Sequence, residues 1–412
     1  SAPRKYHSMS KYIFLSMPAY GHVNPTLAVA QELVQRGEQV IYYLTEEFRA
    51  AVEATGATFR PYTSIMGKIQ PPPRMLGKGR MGPGAMPLMM VDESRQVLPQ
   101  VLEEIRAEQP DILAYGTMCL WGRIITQVLN IPAVSLRPTY AMNEHFGLFN
   151  RETVAVHIEP EMIAQMQTKI ADLCTAYQVP PFDMRQFFSY TEALNLIFLP
   201  RAFQPAGETF DERFVFVGPS IQSRPDVTAF PFERLGAAPV LYISLGTVFN
   251  NRPDFFQLCF QAFGELPWQV VLAYGKRLDE AALGAVPANF LLAPYVPQLE
   301  LLQRASVFLT HGGMNSTMES LYYGVPMVVI PQMIEQAMTA RRVAELGLGT
   351  MLDEENLTAE QLREAVVHVQ HDTAIVQRVQ AMQQTVQAAG GYRRAADAIL
   401  DFTHKQMLAG QA

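Results

Sequence analysis

The chain has 412 residues, 49% of them hydrophobic and 17% charged, with a formal net charge of −7 at neutral pH. That length suits two domains of ordinary size, the apolar fraction excludes a disordered chain, and the acidic balance speaks against a nucleic-acid binder. Three cysteines, Cys119, Cys174 and Cys259, with no CxxC spacing, form neither a disulfide framework nor a zinc cluster and fit a reducing cytoplasm.

Residues 1–8 read as an added leader before a native start at Met9, and 10–18 is too short and too polar at its flanks for a secretory signal. No apolar run reaches the length of a membrane span. Strand and helix signals then alternate, the pattern of a doubly wound α/β fold. Strand 11–17 leads to a helix over 25–36, with Pro25 at an early helical position and Gly37 as the stop. A strand at 39–44, a helix at 46–54 stopped by Gly56, and a strand opening at 57–60 follow. Strands 110–114 and 132–136 flank a helix at 121–129. The first loop carries Tyr20, Gly21 and His22, and no G-x-G-x-x-G follows the first strand, which counts against a nicotinamide-dependent dehydrogenase.

Two segments break the rhythm. Residues 64–90 are rich in Pro, Gly and Met, and 137–160 form a second irregular stretch. Long loops in compact domains are usually functional, and Met and aromatic side chains adapt to irregular apolar ligands. These loops, with Met142, Phe146 and Phe149 and with Tyr20 in the first loop, are expected to wall a pocket for an apolar acceptor. Residues 219–238 hold Pro219, Pro225 and Pro231 and read as a linker between a domain at 9–218 and another at 239–390. The alternation restarts at Val240, with a strand and loop over 240–247 and strands near 270–273, 290–292, 307–310 and 327–330, and helices dominate from 358 onward.

The most informative stretch follows the strand at 307–310. His311, Gly312 and Gly313 turn the chain into a helix over 314–323. Two glycines let backbone N–H groups approach an anion, and the first helical turn adds unpaired donors and a partial positive charge. Asn315, Ser316 and Thr317 can add side-chain donors, and His311 can donate to a phosphate oxygen. Plain N-capping would account for these residues taken alone. The neighbours argue for more: Tyr295-Val296-Pro297-Gln298 before the turn, then Glu319 and the pair Glu335-Gln336 where hydroxyl groups could be held. A ligand carrying both a diphosphate and a sugar is the economical reading.

These residues resemble the donor-binding signature of the UDP-dependent glycosyltransferases of the GT-B fold, family-one type, and the resemblance runs over nearly the whole chain, nearest to the bacterial macrolide-type branch. It implies two Rossmann-like doubly wound domains facing each other across a cleft, with a last helix at 391–412 that crosses back to the N-terminal domain through a bend at Gly390-Gly391. It also implies roles. Tyr295 would lie against the base with less stacking area than the usual Trp, with Val296 beside it, and Gln298 would contact the base edge. His311, Gly313, Asn315 and Ser316 would hold the diphosphate, aided by Ser244, Gly246 and Thr247. Glu319 would accept from the ribose hydroxyls, and Glu335 and Gln336 would grip the transferred sugar.

In such enzymes an acceptor hydroxyl displaces the nucleoside diphosphate from C1 with inversion, and His22 matches the base position through Gly21-His22-x-Asn24-Pro25. An imidazole near its ordinary pKa of about 6.5 suits that task. No metal and no cofactor is needed beyond the UDP-sugar co-substrate, with glucose as the default sugar and a dTDP-sugar as the alternative donor. One position departs from the pattern: Gly116 stands where relatives carry the Asp that orients the histidine. Acceptors with acidic hydroxyls, another orienting group such as Thr117, or weak catalysis would each reconcile this. The leading expectation is therefore a cytoplasmic hexosyltransferase, monomer or homodimer, acting on a macrolide, polyketide, flavonoid or other phenol. The alternative is a catalytically weak or silent nucleotide-sugar-binding auxiliary protein. A nucleotide-sugar epimerase on the same fold is disfavoured by the apolar loops.

Overall fold

The structure, a computed structural model, describes residues 9–66, 85–147, 160–183, 186, 189–222, 230–248 and 250–410. They divide into two compact units: residues up to Gln222 together with those from Ala389 onward, and residues from Ser223 to Ala388.

The first unit is built on seven parallel strands: β1 (Lys11–Leu15), β2 (Gln39–Leu44), β3 (Thr58–Pro61), β4 (Ile112–Gly116), β5 (Ala133–Arg137), β6 (Leu194–Ile197) and β7 (Phe214–Phe216). Their order is β3-β2-β1-β4-β5-β6-β7. The inner strands are apolar on both faces because helices cover both, as parallel sheets require. On one side lie α3 (Ala85–Glu108), α4 (Leu120–Leu129) and α5 (Pro160–Tyr177), with Val97, Leu98, Trp121, Ile124 and Ile170 in the core. On the other lie α1 (Tyr20–Gln35), the short α2 (Arg49–Glu53) and the last helix, whose Ala395, Ala396 and Ile399 are fully buried there.

The second unit repeats the plan with β8 (Val240–Ser244), β9 (Gln269–Ala273), β10 (Phe290–Ala293), β11 (Val307–Thr310), β12 (Met327–Val329) and β13 (Gly349–Met351), in the order β10-β9-β8-β11-β12-β13. Its helices are α6 (Pro253–Phe263), α7 (Gln298–Leu302), α8 (Met314–Tyr322), α9 (Ile334–Glu345), α10 (Ala359–His371) and α11 (Thr373–Ala388), and α12 (Gly391–Gly410) then joins the first unit. Gly390 and Gly391 make that change of direction at φ of 95° and 58°, where a Cβ would be strained.

Three sequence expectations are corrected. α1 begins at Tyr20, not Pro25, so Tyr20, Gly21 and His22 form a first helical turn rather than a loop. Pro25 forgoes only one intrahelical bond, to the carbonyl of Gly21 near the helix start, which the helix tolerates. Residues 85–90 are likewise helical: Pro87 sits in the opening turn of α3, and Met90 and Val91 continue the buried face formed by Val97, Leu98, Val101 and Ile105. The strands β6, β7 and β13, of three or four residues each, were not anticipated.

Candidate nucleotide-sugar site

In each unit the strand order reverses between the two central strands, β1 and β4 in the first, β8 and β11 in the second. Ligands of doubly wound sheets bind beyond the carboxyl ends of strands at such a point. Ser244 ends β8, and Gly246, His311 and Gly313 lie in the turns that follow β8 and β11. His22 stands in the first turn of α1 after β1, and Gly116 ends β4.

In the second unit the imidazole of His311 is held between two glycines. A Cβ on Gly246 would meet the ring Nε2 and Cε1 at 2.6 Å, and one on Gly313 would meet Nε2 at 2.5 Å. Neither position tolerates a side chain without moving the ring. Gly246 also has a φ of 77°, and the Asn250 amide donates to its carbonyl at 2.7 Å, which pins the loop. Thr310 Oγ1 lies 3.4 Å from His311 Nδ1. Burial lowers the His311 pKa to about 4, so the ring is neutral at pH 7 without a ligand. Gly312, at a φ of 80°, passes so close to Val329 that a Cβ would sit 2.6 Å from its Cγ1. Gly313 is the N-cap of α8, so the helix opens with no side-chain cap, and Asn315 and Ser316 stand half-buried in its first turn. Backbone donors at an uncapped helix start are a site for an anion.

Two more expected residues, Gln298 and Glu319, join this turn through one amide. Gln298, the first residue of α7, donates from Nε2 to Glu319 Oε2 at 2.5 Å and to Ser316 Oγ at 3.3 Å. Its Oε1 accepts from Tyr242 of β8 at 3.0 Å. Glu319 is 4% exposed on α8. Glu335 and Gln336 begin α9, and Gln336 Oε1 accepts from the backbone of Gln332 at 2.8 Å. A Cβ on Gly312 would lie 3.3 Å from the Gln336 carbonyl, so this helix start adjoins the His311 turn. Val296 is buried and offers a ligand only its backbone, Tyr295 is half-buried, and Thr247 is exposed. Tyr242, Thr310 and Asn250 were missed in the sequence reading. No local signal set Tyr242 apart from any other buried aromatic of a strand.

In the first unit His22 is half-buried at the third residue of α1. Its Nδ1 is buried with no hydrogen-bond partner among the described residues, so Thr117 does not orient it. Burial lowers its pKa to about 4, and among the described residues no carboxylate offsets this. Gly116 ends β4 beside β1. A Cβ there would lie 3.6 Å from Cys119 Sγ and 3.9 Å from the Leu15 carbonyl and Ser16 Cα, all ordinary contacts. Of the expected acceptor residues, Tyr20 is 48% exposed and leans on Phe48 with ring centroids 5.0 Å apart, and Met142 is half-buried. Phe146 is 5% exposed and packs edge-on against Tyr140, a contact that core packing accounts for. Phe149 and most of 64–84 lie outside the described residues. Among the described residues no helix is long and apolar enough to cross a membrane, and no three His, Cys, Asp or Glu gather as metal ligands.

Comparison with known proteins places this geometry. Residues 257–391 match the family of erythromycin biosynthesis protein CIII-like C-terminal domains. The chain is 43% identical over 389 residues to the NDP-glycosyltransferase YjiC of Bacillus licheniformis, covering 94% of this chain and 96% of that protein. It is 30% identical to the oleandomycin glycosyltransferase of Streptomyces antibioticus, covering 93% and 89% respectively. The crystal structure of the calicheamicin glycosyltransferase CalG4 superposes with a TM-score of 0.82 at 33% identity, over 97% of this chain and 99% of that one. The chain therefore belongs to the family-one glycosyltransferases of the GT-B fold, in the macrolide-type branch that serves natural-product chemistry.

Proposed function

We propose that this chain is an inverting hexosyltransferase that moves a sugar, glucose by default, from UDP to a hydroxyl of a small apolar acceptor. The observation that carries the donor half is the His311 ring clamped between Gly246 and Gly313 at the uncapped start of α8, with Glu319 held one turn further on. The helix start and His311 would take the diphosphate, Glu319 the ribose diol, and Glu335 and Gln336 the sugar hydroxyls. A bound dianion would favour the protonated imidazole. In the single displacement a bond forms between acceptor oxygen and C1 as the bond from C1 to the phosphate oxygen breaks. The acceptor proton passes to His22 and the electron pair leaves on the diphosphate. The helix N-terminus and His311 would meet that charge, so no metal is required. A dTDP-sugar is the alternative donor, and three buried free cysteines support a reducing cytoplasm as the place of work.

The state of His22 favours acidic acceptors. With a pKa lowered to about 4 it is a neutral but weak base. Proton transfer from a phenol, pKa about 10, is less uphill than from an aliphatic alcohol near the value for water, about 15.7. A base without an Nδ1 partner also lacks a fixed tautomer. Phenols and similarly acidic hydroxyls are therefore the preferred acceptors, and a silent nucleotide-sugar binder is the limit of this trend. The test is His22→Ala with a panel of phenols and macrolides read by mass spectrometry and UDP titrated by calorimetry. Transfer is expected to vanish while UDP affinity changes by less than about twofold, roughly 0.4 kcal/mol. Equal loss of binding and transfer would remove His22 from the base role.

A further inference from the structure

Tyr242 is the third residue of β8 and 2% exposed. Its ring stacks on Phe308 of β11, with centroids 4.5 Å apart and planes at 6°, so the aromatic body is fixed by packing. The hydroxyl is the only polar part of the side chain, and it reaches the Gln298 amide at 3.0 Å.

The donor and acceptor chemistry of this group permits one arrangement. A carboxylate only accepts, so the amide nitrogen of Gln298 must face Glu319 and the amide oxygen must face Tyr242, whose hydroxyl then donates. Both Nε2 protons are used, one toward Glu319 and one toward Ser316. Because Ser316 Oγ accepts from Gln298, its own hydroxyl proton is directed elsewhere as a donor. One amide thus sets Ser316 as a donor and holds the Glu319 carboxylate, and the Tyr242 hydroxyl anchors the amide from its oxygen side. Hydrogen bonds in such a chain polarise one another in the same sense.

We propose that Tyr242 and Gln298 are positioning residues that fix the Glu319 carboxylate for the vicinal hydroxyl pair of a ribonucleotide, so that the Tyr242 hydroxyl governs discrimination between ribo- and 2′-deoxyribonucleoside diphosphates. This rests on the donor reading above and changes one part of it: Gln298 acts on Glu319 and Ser316 rather than chiefly on the base edge. Replacing Tyr242 with Phe keeps the stacked ring and removes only the hydroxyl. The amide keeps its nitrogen toward the carboxylate, but its oxygen loses its donor, so it is tethered from one side only and its hold on Glu319 and Ser316 loosens. The ligand that uses the full diol loses most.

The experiment is calorimetric titration of the full chain and of Tyr242→Phe with UDP and with 2′-deoxy-UDP, beside thermal melts of both proteins. Wild type is expected to prefer UDP. In Tyr242→Phe the Kd for UDP is expected to rise about tenfold, while that for 2′-deoxy-UDP changes less than about twofold, so the preference collapses. Gln298→Met, similar in length but without the amide, is expected to behave in the same way and serves if Tyr242→Phe does not fold. A variant that keeps the wild-type preference, or that loses both ligands equally, overturns the positioning role. Failure of wild type to bind UDP at all would instead sink the donor reading, and the two failures are therefore separable.

Discussion

Installing the absent carboxylate is the most direct test of the proposed role of His22 as a weak base. Gly116 lies outside the positive-φ region, so Gly116→Asp adds no backbone strain, and among the described residues its Cβ would come no closer than 3.6 Å to any atom, Cys119 Sγ being nearest. A carboxylate close to an imidazolium raises its pKa by about one to three units. A gain of about two would carry His22 from about 4 to about 6, worth about 2.7 kcal/mol of imidazolium stabilisation. If half of that is felt in the transition state, turnover rises about tenfold. Phenols, which need less from the base, should gain less than about threefold. The assay is kcat at saturating UDP-glucose with an aliphatic alcohol and with a phenol, together with the pH dependence of kcat/KM. A base must be deprotonated to act, so wild type should keep activity down to about pH 4, whereas Gly116→Asp should lose it below about pH 6. No gain on the alcohol and no movement of the acidic limb would refute the argument that an unpartnered Nδ1 limits this enzyme.

Two further outcomes follow from the site. Gly313→Ala puts a Cβ 2.5 Å from His311 Nε2 and must displace the ring; UDP affinity by calorimetry should fall at least about tenfold, and stability by about 1–3 kcal/mol in denaturant melts. Unchanged affinity would mean that the ring is not clamped. The two histidines also predict acid lability. Their folded pKa values are lowered to about 4, whereas unfolded imidazole titrates near 6.5, so the unfolded chain binds more protons in between. Stability from this source is complete above about pH 6.5 and is lost as pH falls toward about 4, at most about 1.4 kcal/mol per pH unit for each histidine. Melting temperature between pH 6.5 and 5 should fall in wild type and fall less in a His22→Gln, His311→Gln double variant; equal slopes would show that these rings are not protected from protonation.

The strand, turn and helix start proposed to hold the donor were legible because they are local in sequence. A strand, two glycines and a helix start lie within 307–316, and short-range rules of turns and helix ends suffice to read them. What escaped is what depends on contacts between distant segments. Tyr242 meets Gln298 across 56 positions, and nothing in the run Val240 to Ser244 distinguishes its hydroxyl from a buried aromatic in any strand. The start of α1 was misjudged because Pro25 reads as a boundary when only local propensity is weighed. Packing of Val23 and Val29 into the sheet extends the helix back over Tyr20 to His22. The packing of Phe146 against Tyr140 was equally illegible, because an aromatic in an irregular segment carries no mark of its neighbours.

The last helix has a consequence for how the protein is made. Tyr12 on the first strand bonds Thr403 at 3.0 Å, and Arg36 at the end of α1 pairs with Asp397 at 2.5 Å. The first domain to leave the ribosome thus stays unfinished, one flank of its sheet bare of Ala395, Ala396 and Ile399, until translation of the other domain is complete. Premature termination near residue 388 would spare every donor-site residue and still harm the half that carries His22, and a peptide spanning 389–410 supplied in trans should rescue it.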